Sequence, residues 1–338
     1  GDVIALVEGA GEFGPRALGA RSLLASPEDP RIADRINRDL KRRHAFQPFA
    51  GAFLEAVFLR SDTNAIVLSA LPAYGEANPL TLEHMILTRT LVTALCGDDR
   101  VFVQGQGAPH LGDPAAALAE MRRLMAEHPD LVAWKVDTHN PDGFFLDDHD
   151  ADRPQVGTDF IRTAVDGGVP VVAIHKGLSG NNPAASPIDV GPAAARHRDC
   201  SFLVYHSGYE NGVREGPYDP GDPNGGIDRL LRGLDDAGVG PGENVYAELG
   251  STWRNLMSRP DEAAHALGKL LVACGEDNVL WGTDSIWYGS PQDQIQAFRA
   301  FEISEELQET HGYPALSDEV KAKILGGNAA RLHGIDLD

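Results

Sequence analysis

Between residues 65 and 284, short apolar runs rich in β-branched residues end in polar or glycine positions, and each gives way to a stretch with helical spacing. The runs are 65–69, 101–105, 131–136, 169–175, 201–206, 244–249 and 278–284. Their near-continuous apolar character is what strands covered on both faces require. Thr81 to Leu95 carries Leu82, Met85, Leu87, Leu91 and Leu95 near helical spacing, and 114–126 and 261–273 read the same way. Gly168-Val169-Pro170 and Gly275 to Asn278 mark returns from helix to strand. This alternation predicts an α/β fold, a (β/α)8 TIM-type barrel, more than an open doubly wound sheet.

Seven runs are one short of the eight that close such a barrel. The eighth strand must come from residues 1–60, from a partner, or be missing. The only strand-like run upstream is Asp2 to Glu8, with Val3, Ile4 and Val7. It can insert parallel into the gap, with Arg31 to Arg43 as a crossover helix. The preferred alternative is a peripheral segment outside the barrel. Gly1 opens almost directly onto this run, so the sequence reads as starting inside a domain.

The 338 residues are 42% hydrophobic and 23% charged, an ordinary globular composition with ample material for a core. A net charge of −21 and a pI near 4.9 argue against nucleic acid, whose phosphates need a basic face. The acidity is uneven: residues 1–60 hold 9 Lys/Arg and 8 Asp/Glu, against 20 and 42 in the rest. Cys96, Cys200 and Cys274 have no metal-type spacing and read as reduced core thiols. Neither a membrane-spanning run nor a signal sequence is visible, so a cytoplasmic location is expected. Self-association into a homo-oligomer is compatible with this reading.

In parallel barrels the chemistry gathers where the strands end. Here the run endings offer His175, with Lys176 after it, then His206, Glu248 and Asp284. Two imidazoles and a carboxylate on one rim suit a divalent ion such as Zn²⁺, with one position left for water. Each is weighed against an ordinary hydrogen-bonded rim residue. Lys135, one residue before its run ends, reads as a buried lysine paired with a carboxylate or as a carbamate-bearing bridge, the former preferred. Glu248 reads as a hydrogen-bond acceptor behind the ligands. His139 either faces substrate or lies on a solvated loop, the latter preferred.

Residues 58–334 resemble the amidohydrolase family related to aminocarboxymuconate-semialdehyde decarboxylase. The likeness is carried by Ala173 to Gly177, Val204 to Gly208, Val245 to Trp253, Trp281 to Ser285 and the closing Ile324 to Leu332. It implies a small-molecule substrate and a single divalent metal, with His175 and Asp284 as ligand positions. It further implies that His206 lies beside the metal, and that Asp284 is base or proton shuttle. Lys135, His139, Lys176 and Glu248 are candidate supporting or substrate-facing groups. The family's first strand supplies two more ligands through a His-x-His pair, and no His-x-His occurs in this sequence. Weak or absent metal binding is therefore expected, with Glu8 as a substitute oxygen ligand should its run insert.

Residues 1–54 resemble the C-terminal domain of nodulation- and antibiotic-type carbamoyltransferases. The matching segments are Glu12 to Ser22, Asp34 to Asn37 and Phe46 to Ala50. That likeness implies phosphate binding by Arg16 and Arg21, as for carbamoyl phosphate, although surface ion pairs are the preferred role. The chain thus divides into a carbamoyltransferase-like fragment, 1–57, and a barrel, 58–338. The expected activity is metal-dependent hydrolysis of a small carboxylated or amide-bearing molecule. Non-oxidative decarboxylation, a non-catalytic barrel and a carbamoyl-phosphate-binding fragment are its rivals.

Overall fold

The computed structural model describes residues 3–7, 21–25, 53–71, 73–74, 78, 80–139, 143–149, 155–180, 182–221, 225–285 and 287–336. Two compact units divide the chain, 1–55 and 56–338.

In the first unit, β1 (Val3–Val7) pairs antiparallel with β2 (Arg21–Ala25) in a two-stranded sheet of its own. The run at Val3 therefore finds its ladder partner within its own unit and is not a strand of the seven-stranded sheet. Arg21 opens β2. Glu8, Arg16 and the expected 31–43 helix lie outside the described residues.

The second unit is built on a seven-stranded, all-parallel sheet in sequential order. Its strands are β3 (Ile66–Leu68), β4 (Val101–Gly107), β5 (Leu131–Asp137), β6 (Val171–His175), β7 (Ser201–Tyr205), β8 (Val245–Glu248) and β9 (Val279–Leu280). This is the curled sheet of a TIM-type barrel with seven of its strands among the described residues. Sequential parallel order demands a crossover after each strand. Helices supply most of them, among them α1 (Leu82–Cys96), α2 (Pro114–Glu127), α3 (Val156–Asp166), α4 (Val190–Arg196), α5 (Asp228–Ala237), α6 (Thr252–Leu256) and α7 (Pro260–Cys274). α1 starts where Thr81 caps the His84 amide and stops at Gly97, in the left-handed region.

Strand alternation decides what faces the barrel interior. Trp134 points outward and lies over β4, where a Cβ on Gly105 would come 2.7 Å from its ring. Its neighbours Lys135 and Asp137 point inward. Lower in the barrel, Ala173, Leu203 and Leu280 make an apolar layer, with Tyr205 and Tyr246 packed on it. The last helices, α8 (Gln292–Ala300), α9 (Glu305–His311), α10 (Asp318–Ala322) and α11 (Asn328–His333), complete the chain. α11 closes the end where the strands begin. Ala329 and Leu332 pack on the apolar layer, Asn328 Nδ2 donates to the Glu276 and Val279 carbonyls, and His333 Nδ1 meets the Val132 carbonyl at 3.2 Å. The opposite end, where the strands finish, stays available for chemistry.

Cys200 and Cys274 are buried, and burial pushes both thiols up to about 12. Cys96, expected in the core, is exposed at the end of α1. Among the described residues no helix is long and apolar enough to cross a membrane.

Candidate metal and catalytic site

The register of the sheet sets the rim. Asp137 lies beside His175, and His175 beside Tyr205, so the ends of β5, β6 and β7 stand at one level. Asp137 Oδ1 is the hub of the first cluster. It accepts from the His139 amide at 2.9 Å and faces His139 Nδ1 at 2.9 Å and His175 Nδ1 at 3.4 Å. Burial alone would raise this carboxyl, but the two imidazoles and the amide hold it well below the usual range. The His139 and His175 rings stack with centroids 4.0 Å apart. Burial lowers His175, against the opposing pull of Asp137.

His206 continues the arc, with its ring edge-on to His175 at 4.5 Å. Its Nδ1 donates to the Gly250 carbonyl at 2.7 Å, which leaves the lone pair on Nε2. The same Nδ1 is 3.6 Å from Asp284 Oδ2. Asp284 accepts from the Ser251 hydroxyl, which also meets the Tyr288 hydroxyl at 2.9 Å. Among the described residues, five non-glycine positions have positive φ, namely Leu178, His206, Ser207, Ser251 and Asp284. All five sit on the loops that follow β6, β7, β8 and β9. Strain concentrated on one rim of a barrel is the pattern of a functional site.

Glu248, at the end of β8, accepts from the Gly250 amide at 2.8 Å and the His206 amide at 3.2 Å. Burial, followed by the nearby Asp284 charge, pushes it up to about 8. Lys135 is buried, 6% exposed, and its ammonium lies 3.1 Å from the centroid of the Tyr205 ring. Tyr205 in turn donates to Gln104 Oε1 at 3.1 Å. Burial depresses Lys135 to about 8, with Glu248, Asp284 and Asp137 pulling the other way. The carboxylate pairing expected for Lys135 is therefore replaced by an aromatic face. Among the described residues it makes no hydrogen bond or ion pair.

The structure thus brings His175, His206, Glu248, Asp284, Lys135 and His139 to one end of the barrel. His139 is not on a solvated loop but half-buried against Asp137 and His175. Lys176 leaves the group. Its fully buried ammonium donates to the Ala184 carbonyl at 2.6 Å and pairs with Asp189 at 2.8 Å. It locks the loop after β6 and is closed off from solvent. The apolar run 131–136 stops at Val136, so apolarity alone does not point to Asp137. Counting two from the inward Lys135 would have found it. Ser251 and Tyr288, the partners of Asp284, carry no signal in the sequence.

Asp137, His139 and His175 can each offer one ligand atom, all within 4.8 Å of one another. Two imidazole nitrogens and a carboxylate oxygen fit a divalent ion of the Zn²⁺ type.

Comparison with known proteins gives the chain a family. Residues 68–335 match the family model described as amidohydrolase, and residues 1–66 match the one described as carbamoyltransferase C-terminus. Among curated relatives, an uncharacterized protein of Methanocaldococcus jannaschii is 56% identical over 55 residues, 16% of this chain and 9% of that protein. The nodulation protein NolO of Bradyrhizobium diazoefficiens is 53% identical over 55 residues, again 16% of this chain and 10% of its own. The chain thus spans about a tenth of the length of these relatives. Among solved structures, a dihydroorotase from Campylobacter jejuni aligns over 85% of this chain and 79% of its own, with 13% identity and a TM-score of 0.48. The 4-oxalomesaconate hydratase of Rhodopseudomonas palustris aligns over 75% of this chain and 72% of its own, with 16% identity and a TM-score of 0.44. With a family model covering most of its length, the chain belongs to the amidohydrolase family.

Proposed function

We propose that the barrel hydrolyses an amide-type bond in a small carboxylated molecule, assisted by a divalent metal. The observation that carries this reading is the meeting of His206 and Asp284, 3.6 Å apart, beside the Asp137–His139–His175 cluster at the strand-end rim. A divalent ion bound there supplies Lewis acidity toward a carbonyl and a lowered pKa for water. The remaining work falls to the chain. Asp284, fixed by Ser251, takes the proton from the attacking water as its oxygen bonds to the carbonyl carbon. The C–N bond then breaks, and the same proton passes to the departing nitrogen. His206, its Nδ1 committed to the Gly250 carbonyl, presents Nε2 to orient water or substrate. Lys135, buried without a carboxylate partner, is suited to receive the substrate carboxylate, since a buried cation is stabilised by an anion brought against it.

The test is turnover of small N-acyl and lactam carboxylates, supplied with Zn²⁺, Mn²⁺ or Co²⁺, by the wild type and by Asp284→Asn. Loss of a positioned base costs about 10²- to 10⁴-fold in rate. A variant as fast as wild type would remove Asp284 from the chemistry, and no turnover with any metal would remove the hydrolase reading.

A further inference from the structure

Asp137 and His139 stand two residues apart where β5 ends, the spacing of the His-x-His pair that this sequence lacks. Three donor atoms converge there. Asp137 Oδ1 is 2.9 Å from His139 Nδ1 and 3.4 Å from His175 Nδ1. The far nitrogen of His139 decides what the near one can be. His139 Nε2 lies 3.0 Å from the Gly177 carbonyl and 3.2 Å from that of Leu178. Carbonyls only accept, so Nε2 carries a hydrogen. His139 Nδ1 is the nitrogen turned to Asp137 Oδ1, and with His175 Nδ1 the three donor atoms lie within 4.8 Å of one another. An imidazole steered by a backbone carbonyl on its far N–H is also how ligating histidines are held.

We propose that this protein holds one divalent cation of the Zn²⁺ class on Asp137 Oδ1, His139 Nδ1 and His175 Nδ1. Asp137-x-His139 on β5 thereby stands in for a first-strand histidine pair. Two nitrogens and one oxygen leave a fourth position open for water or substrate. The assignment also separates two duties that would compete for one carboxylate. Asp284 is tied to the Ser251 hydroxyl and sits beside His206, so it serves as base without being spent as a ligand. The inference deepens the proposed hydrolysis, and its binding test does not depend on turnover.

The experiment uses the full chain, stripped with chelator and titrated with Co²⁺, read by visible absorption, with Zn²⁺ uptake by equilibrium dialysis as the second measure. Wild type is expected to take up one equivalent. Asp137→Asn and His139→Asn are each expected to weaken binding by about 10- to 100-fold or more, since even indirect partners of a ligand cost that much. Asp284→Asn is expected to bind within about threefold of wild type. The proposal is overturned if folded wild type takes up no metal, if His139→Asn binds as wild type does, or if Asp284→Asn loses as much as Asp137→Asn. Should a variant melt early, ¹⁵N NMR of the wild-type histidine rings reads the same claim. Zn²⁺ must then shift Nδ1 of His139 and His175, and a spectrum indifferent to Zn²⁺ overturns it. Metal uptake without turnover would keep this site and remove the hydrolase reading. Turnover that survives Asp137→Asn undiminished would do the reverse.

Discussion

Glu248 fits its place only because the residues around it have no side chains. A Cβ on Gly282 would stand 1.4 Å from Glu248 Oε1, and one on Gly250 would stand 2.5 Å from the same oxygen. Neither neighbour can yield cheaply, since the carboxylate is held by the Gly250 and His206 amides. Gly282→Ala is therefore expected to lower stability by about 1–3 kcal/mol or more, the range for overpacking a closed interior. Differential scanning calorimetry checks it, and an unchanged melting temperature would mean that Glu248 does not occupy this pocket. Glu248 also makes a pH prediction. Its folded value, raised to about 8 from an ordinary 4.5, means the native state holds the proton more tightly than the unfolded chain. Its contribution is complete below about 4.5 and is lost as pH rises toward about 8. Glu248→Gln, which mimics the protonated group, should gain stability relative to wild type across that window in urea titrations. A difference that does not change with pH would contradict this assignment.

At the scale of elements, Lys176 and Asn328 show how loops and helices are fastened at the two ends of the barrel. Lys176 and Asp189 form a buried pair, and Asp189 also accepts from the Leu146 amide at 2.8 Å. Removing the cation alone strands a buried carboxylate, so Lys176→Met should cost about 3–5 kcal/mol. Pairing it with Asp189→Leu should recover part of that loss, measured as a double-mutant cycle. Simple additivity would show that the two charges do not interact. Asn328→Asp would place an acceptor against the Glu276 and Val279 carbonyls and should loosen α11, visible as faster amide exchange in 328–333. Exchange at wild-type rates would show that these bonds do not hold the helix.

These elements were unequally legible in the sequence. All seven apolar runs became strands, because a strand covered on both faces needs an apolar run whatever its neighbours are. The four rim residues His175, His206, Glu248 and Asp284 were legible for a related reason, since a polar residue ending such a run marks a strand terminus. Asp137 was not, because a run read only for apolarity stops one residue early. Lys176 misled in the opposite direction. Adjacent to His175, it points the other way, as successive residues at a strand end do. The partner of Lys135 is an aromatic face, and nothing local encodes it. Tyr205 is on β7, two strands away.

At the scale of the whole molecule, the described residues of the two units form separate sheets, and the rim of His175, His206, Glu248 and Asp284 belongs to the second unit. Lys135 is buried within a unit whose sequence carries more Asp and Glu than Lys and Arg, and it places one cation at the rim. What separates the proposed chemistry from decarboxylation on the same scaffold is the fate of solvent. Hydrolysis puts one water oxygen into the acyl product, whereas loss of CO₂ puts a solvent hydrogen on carbon. Turnover of a carboxylated amide in H₂¹⁸O, read by mass spectrometry of the organic product, is therefore the most direct measurement. Hydrolysis gives one ¹⁸O per product acyl group and leaves the carboxylate elsewhere in the molecule intact. Release of CO₂ with no solvent oxygen in the organic product would contradict it.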